Sequence, residues 1–159
     1  MKNISNNKKG LTRLGLLIIM TLLIVVIIAS LIYFKNQKKR NFITSAKNFI
    51  TEVRGFASED NIELPATYKE RVIISISQIN PNKKLPKSSF GGKWVIEKSY
   101  VIIKNSGTEY APVYDYYIAL QDSKGNCLEL TEESKLHRNL VTKECNIEEF
   151  AETHDTFIE

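Results

Sequence analysis

The chain has 159 residues, enough for one domain and an anchor, and its net charge of +4 is unevenly spread. Residues 1–54 carry ten Lys or Arg against the single acid Glu52, whereas residues 55–159 carry twelve bases against seventeen acids. An acidic second part argues against a nucleic-acid-binding surface, and no nucleic-acid partner is expected for the isolated domain.

Residues 1–10 form a basic leader with Lys2, Lys8 and Lys9. The run from Leu14 to Phe34 then holds 21 residues without a charge, fifteen of them Leu, Ile, Val or Phe. At mid-helix values that composition favours insertion into lipid by about 5–9 kcal/mol, as an upper figure. A helix of this length spans about 30 Å, the depth of the hydrocarbon core. A cleaved secretory signal is the weaker reading, because its apolar region is shorter and Ile28-Ala29-Ser30 has a bulky residue where a small one belongs. A buried core helix is also disfavoured, since the remaining chain is short for enclosing so long an apolar surface. Lys35, Lys38, Lys39 and Arg40 follow the run, so charge alone leaves the orientation open. The lipid bilayer is the first expected partner, with these bases beside its headgroups.

From Phe42 the apolar residues Phe42, Ile43, Ala46, Phe49, Ile50, Val53 and Ala57 fall at spacings of one, three and four, an amphipathic helical stripe. No proline lies between Leu11 and Asn61, so one helix is expected over residues 11–54, about 66 Å at 1.5 Å per residue. Two helices with a break near 35–41 are the alternative, and Gly55 is a stop signal. Residues 55–159 read as a small β-rich domain. Val72, Ile74 and Ile76 alternate with other residues in an extended segment, and Pro81 and Pro86 bracket a polar loop. Trp94–Lys104, Val113–Gln121 and Cys127–Leu130 have strand composition, with turns at Asn105-Ser106-Gly107 and Lys124-Gly125-Asn126. Gly91-Gly92 reads as a turn before a strand. Short connections imply an antiparallel meander, one face of which the helix stripe covers. The fold class is therefore α+β: a long N-terminal helix, half transmembrane and half amphipathic, packed on a small antiparallel sheet. The acidic tail Glu144–Glu159 is expected to fray without contributing to the core.

Candidate chemistry is sparse. Cys127 and Cys145 can close a loop of 18 residues if the domain lies in an oxidising compartment, contributing about 3 kcal/mol; two free thiols are the alternative. His137 and His154 share no metal-ligand spacing with each other or with the cysteines. Glu132-Glu133 and Glu148-Glu149 read as solvated charge, and Tyr114, Tyr116 and Tyr117 as sheet packing. No phosphate loop or nucleophile motif stands out, so no enzyme activity, metal or cofactor is expected.

Lys8-Lys9-Gly10-Leu11-Thr12, followed directly by the apolar run, resembles the leader junction of type IV pilins and pseudopilins. The stretches Arg54–Pro65 and Ser99–Ile103 resemble pilin-like proteins of low-GC Gram-positive bacteria. The resemblance implies cleavage of Gly10–Leu11 by a prepilin peptidase on the cytoplasmic side, followed by methylation of Leu11. It also implies a single-pass membrane protein with a cytoplasmic N-terminus, an extracytoplasmic C-terminal domain and a disulfide loop near the C-terminus. Its partners would be other pilin-like subunits, in a filament or type II secretion-like pseudopilus serving secretion, DNA uptake or adhesion. The family's Glu at the fifth mature position is replaced by Gly15, with Arg13 two residues earlier, and its mid-helix Pro is absent near Ile32. The departure at Gly15 is what an initiating or tip subunit, a divergent subunit assembling by packing alone, or an unprocessed chain would show. The alternative reading is a non-polymerising signal-anchored membrane protein with an extracytoplasmic binding domain.

Overall fold

The computed structural model describes residues 13–59, 62–79 and 84–149. Helix α1 runs Arg13–Ser58, and four strands follow: β1 (Arg71–Ser75), β2 (Tyr100–Asn105), β3 (Tyr114–Gln121) and β4 (Cys127–Glu132). The strands form one antiparallel sheet in the order β1-β2-β3-β4, the expected meander. The architecture is α+β, a long N-terminal helix packed on a four-stranded sheet. The chain divides into two compact units, Met1–Gln37 and Lys38–Glu159.

In the second unit all seven positions of the amphipathic stripe are buried, from Phe42 and Val53 at 0% exposure to Ile43 and Ala57 at 7%. Thr44, Lys47, Asn48 and Glu52 between them are exposed. The stripe meets one sheet face, made by Ile74 of β1, Val101 and Ile103 of β2, Ile118 and Leu120 of β3, and Leu128 of β4. Trp94 closes the end of this core, with its ring 5.1 Å from Phe42 and 5.6 Å from Phe49, both edge-on. Its indole N–H has no acceptor among the described residues, so Trp94 contributes through its rings.

Four expectations need correction. The helix is continuous across residues 35–41, as expected, but it passes Gly55 and ends at Ser58 rather than at residue 54. A glycine inside a helix costs about 1 kcal/mol, but burial of Ala57 and packing of Phe56 on the core offset it, and the Ser58 hydroxyl donates to Gly55 O at 2.7 Å. Trp94–Lys104 is not one strand. Trp94 bridges Asp122, a 3-10 turn covers Ile96–Lys98, and β2 starts at Tyr100. The step occurs because the Ser99 hydroxyl takes ladder positions on β3, donating to Gln121 O and accepting from Gln121 N, both at 3.2 Å. Asn105 is not merely a turn residue. It ends β2 with its side chain buried, donating to Pro65 O (3.2 Å) and Ala66 O (3.1 Å) and accepting from Gly107 N (2.9 Å). It thus ties the segment after α1 to the β2–β3 hairpin, where a Cβ on Gly107 would lie 2.3 Å from Ala111 O.

The tail is the fourth correction. The outer sheet face presents Tyr100, Ile102, Ala119 and Cys127, and Ile147 packs on them at 7% exposure. The segment from Val141 therefore belongs to the fold. Thr142 pairs with Cys127 by mutual backbone hydrogen bonds of 2.9 and 3.0 Å, which covers the free edge at the start of β4. Asn146 N donates to Glu129 Oε1 at 3.1 Å, and Lys98 pairs with Glu149 at 3.4 Å. Residues 150–159 lie outside the described residues. In β4, Glu129 and Leu130 oppose the single residue Ala119, a bulge that turns Leu130 outward.

Candidate functional site

No cluster of three or more His, Cys, Asp or Glu able to hold a metal occurs among the described residues. A wide-mouthed cleft of about 560 Å³ is lined by Thr67, Tyr68, Ser106, Gly107, Thr108 and Glu109. Hydroxyls lining it are engaged locally, Thr67 donating to Glu70 Oε2 at 3.1 Å and Ser106 to Val113 O at 3.2 Å. The surfaces that distinguish the chain are instead the apolar half of α1 and the disulfide-closed C-terminal segment.

Every residue from Leu16 to Phe34 is exposed, with the large apolar side chains 45–65% accessible. In water such a surface is strongly unfavourable, at about 25 cal/mol per Å² of apolar area. In hydrocarbon it is the required surface. The run is long and apolar enough to cross a membrane. Its internal hydroxyls are already satisfied, Thr21 donating to Ile18 O and Ser30 to Val26 O, each at 2.8 Å. Tyr33 and Phe34 close the run and Lys35 follows, an order suited to a bilayer interface. Gly10, Leu11 and Thr12 lie outside the described residues. α1 begins at Arg13, and Gly15 sits in its first turn.

Cys127 and Cys145 are joined, with S–S 2.07 Å and Cα–Cα 6.1 Å, so the free-thiol alternative does not hold. The bond anchors Ile147 two residues later against the outer sheet face. Beside it, burial pushes the Tyr100 phenol above its ordinary pKa; the Glu148 carboxylate raises it further and Arg71 opposes.

His137 is exposed, and His154 lies outside the described residues. Glu132 and Glu133 have partners rather than solvent alone. Arg54 donates to Glu133 through both terminal guanidinium nitrogens and lies 4.4 Å above the Tyr116 ring, fixing the end of α1 to β3. Glu132 pairs with Lys135 at 2.8 Å, and that contact, with the Ser134 hydroxyl, lowers its pKa. Exposed pairs of this kind contribute little to stability. Tyr114 and Tyr116 pack on the main core and Tyr117 on the outer one, so all three serve the sheet.

No family model, curated protein or solved structure matches the chain.

Sequence reasoning missed the buried carboxylate of Asp122. It accepts from the Ser88 hydroxyl at 2.5 Å and from the backbone N–H groups of Lys124 and Asn126, each at 2.9 Å. A Cβ on Gly92 would lie 2.9 Å from this carboxyl group, so the Gly91-Gly92 turn also makes room for Asp122. The Lys-Gly-Asn turn signal pointed to the loop, but its partner Ser88 is 34 residues away and local pattern cannot show it.

Proposed function

We propose that the chain is a type IV pilin-like or pseudopilin subunit, of the minor or initiating kind, in an envelope filament for secretion, DNA uptake or adhesion. The observation that carries the reading is the pairing of one continuous helix with two environments. Its first half is apolar and exposed, and its second half is the core helix of a disulfide-closed meander. The Lys8-Lys9-Gly10-Leu11-Thr12 junction just ahead of that helix supports it. On this reading residues 1–10 face the cytoplasm, the apolar half of α1 sits in the cell membrane, and the domain lies outside, where the disulfide is stable. The non-polymerising alternative shares the anchor and the domain but needs neither cleavage nor partner subunits.

Gly15 sets how the subunit assembles. A Glu at that place would meet the amine of a neighbouring subunit, and an intramembrane charge persists only with such a partner. Gly15 removes the contact, and Arg13 adds positive charge close to the amine, where like charges repel strongly in a low dielectric. The subunit is therefore expected at low abundance, cross-linked to Glu-bearing partner pilins rather than to itself. Quantitative cross-linking in sheared filaments, or in membranes, tests this. Long homopolymers of this chain alone would contradict it. Gly15→Glu is expected to increase self-association, and an unchanged level would show that the missing carboxylate is not the limiting contact.

A further inference from the structure

Lysines far apart in the sequence converge at one end of the second unit. Lys38 and Lys39 stand where α1 enters it. The loop from Lys84 to Lys93 has three lysines and no acid. The fold presses this loop onto the start of that helical segment: the Ser89 hydroxyl donates to Lys38 O at 2.7 Å, and the Phe90 and Phe42 rings lie 6.0 Å apart. The β3–β4 turn joins them. Lys124 Nζ donates to Phe90 O at 2.9 Å, and Ser123 N to Lys93 O at 2.7 Å. Lys38, Lys87, Lys93 and Lys124 are exposed, Lys39 is half-buried, and none forms an ion pair among the described residues.

This concentration runs against the composition of residues 55–159, which carry five more acids than bases. Asp122, in the same turn as Lys124, is buried and held by the Ser88 hydroxyl and the N–H groups of Lys124 and Asn126, while Glu129, Glu132 and Glu133 lie on β4 and after it, and Glu148 and Glu149 on the C-terminal segment. In sequence, Lys38 and Lys39 are the members nearest the apolar run, Lys38 following Phe34 by four residues.

We infer that this lysine face of the domain, formed by Lys38, Lys39, Lys87, Lys93 and Lys124, docks on the phosphate-bearing headgroups of anionic phospholipids at the outer membrane–water interface. The inference rests on the apolar half of α1 spanning the bilayer, but not on cleavage or polymerisation. Tethering by α1 keeps the face within reach of headgroups, and each lysine held at an anionic surface adds about a fivefold factor in binding, screened by salt. Docking would hold the domain in one pose on the membrane before any assembly.

The full chain, reconstituted in vesicles of phosphatidylglycerol or of phosphatidylcholine, tests this with a membrane-impermeant amine-acylating reagent and mass spectrometry. In phosphatidylglycerol, Lys87, Lys93 and Lys124 are expected to react roughly fivefold more slowly than in phosphatidylcholine. Lys135 and Lys143 are expected to react equally in both, and 0.5 M salt to abolish the difference. Lys87→Gln with Lys93→Gln is expected to return Lys124 towards its phosphatidylcholine rate. Equal rates for the three lysines in both lipids would overturn the inference while leaving the membrane span intact. Protection in phosphatidylcholine by added soluble polyphosphate, with none from phosphatidylglycerol, would overturn it in favour of a soluble anionic polymer. A chain that fails to enter vesicles of either kind would overturn the inference together with the membrane span.

Discussion

Phe42→Ala is expected to lower the stability of the second unit by about 3–5 kcal/mol, among the largest effects a single truncation gives. Phe42 is fully buried, lies 5.1 Å from Trp94 and 6.0 Å from Phe90 between ring centres, and occupies the first turn of the amphipathic stripe. Its removal leaves a cavity where α1, the Lys84–Lys93 loop and Trp94 meet, and a backbone helix on one side limits how far the site can collapse. For a unit of this size each kcal/mol shifts Tm by about 4 °C, which gives a fall of about 12–20 °C. Thr44→Ala, on the exposed face two residues on, is expected to stay within about 0.5 kcal/mol. Thermal unfolding of the full chain in detergent, followed by near-ultraviolet circular dichroism, reads both. Equal effects of the two substitutions would mean that the stripe does not carry the domain core.

Reduction of Cys127–Cys145 has a comparable effect by another route. Closing a loop of 18 residues restricts the unfolded chain by about 3 kcal/mol, so Tm is expected to fall by about 12 °C on reduction. Reduction also loosens the segment that carries Ile147 and Glu148 over the outer sheet face. The Tyr100 pKa, raised first by burial and then by Glu148, is expected to drop towards the ordinary tyrosine value. The sign follows from linkage. A folded-state pKa above the unfolded one contributes stability that is present below about pH 10 and is lost as pH rises through the folded value. The oxidised protein therefore loses stability more steeply above pH 10 than the reduced one. Ultraviolet titration of the phenolate, compared with Tyr100→Phe, isolates this group. A Tm and a Tyr100 titration both indifferent to reduction would show that the bond does not hold the segment in place.

Much of the fold is legible in the sequence where a period is strong. The stripe from Phe42 to Ala57 repeats at helical spacing over four turns, and every one of its seven positions is buried. The strand cores are legible too, because β-branched and aromatic runs fit a pleated, half-buried surface. The errors fall where tertiary partners override local composition. Trp94–Lys104 has strand residues throughout, but Ser99 bonds to Gln121 across the sheet and the chain turns before β2. Asn105 and Asp122 have turn chemistry, and both use it to reach Pro65 and Ser88, 40 and 34 positions away. The tail has one large apolar side chain among acids over Glu144–Glu149, so its composition reads as solvated. Ile147 becomes a core residue only because the disulfide and the Thr142 bridge bring it beneath the sheet. The lysine face was legible only on the helix, since Lys87, Lys93 and Lys124 join it through folding.

The functional reading differs in kind, because it depends on the residues ahead of α1. Cleavage at Gly10–Leu11 separates a pilin-like subunit from a signal-anchored protein of the same fold. Intact-mass analysis of the chain extracted from the membranes of its own cells, with N-terminal sequencing, measures this directly. The account predicts a mature chain beginning at Leu11 with a methylated amine. An uncleaved chain of 18.2 kDa beginning at Met1 would contradict it.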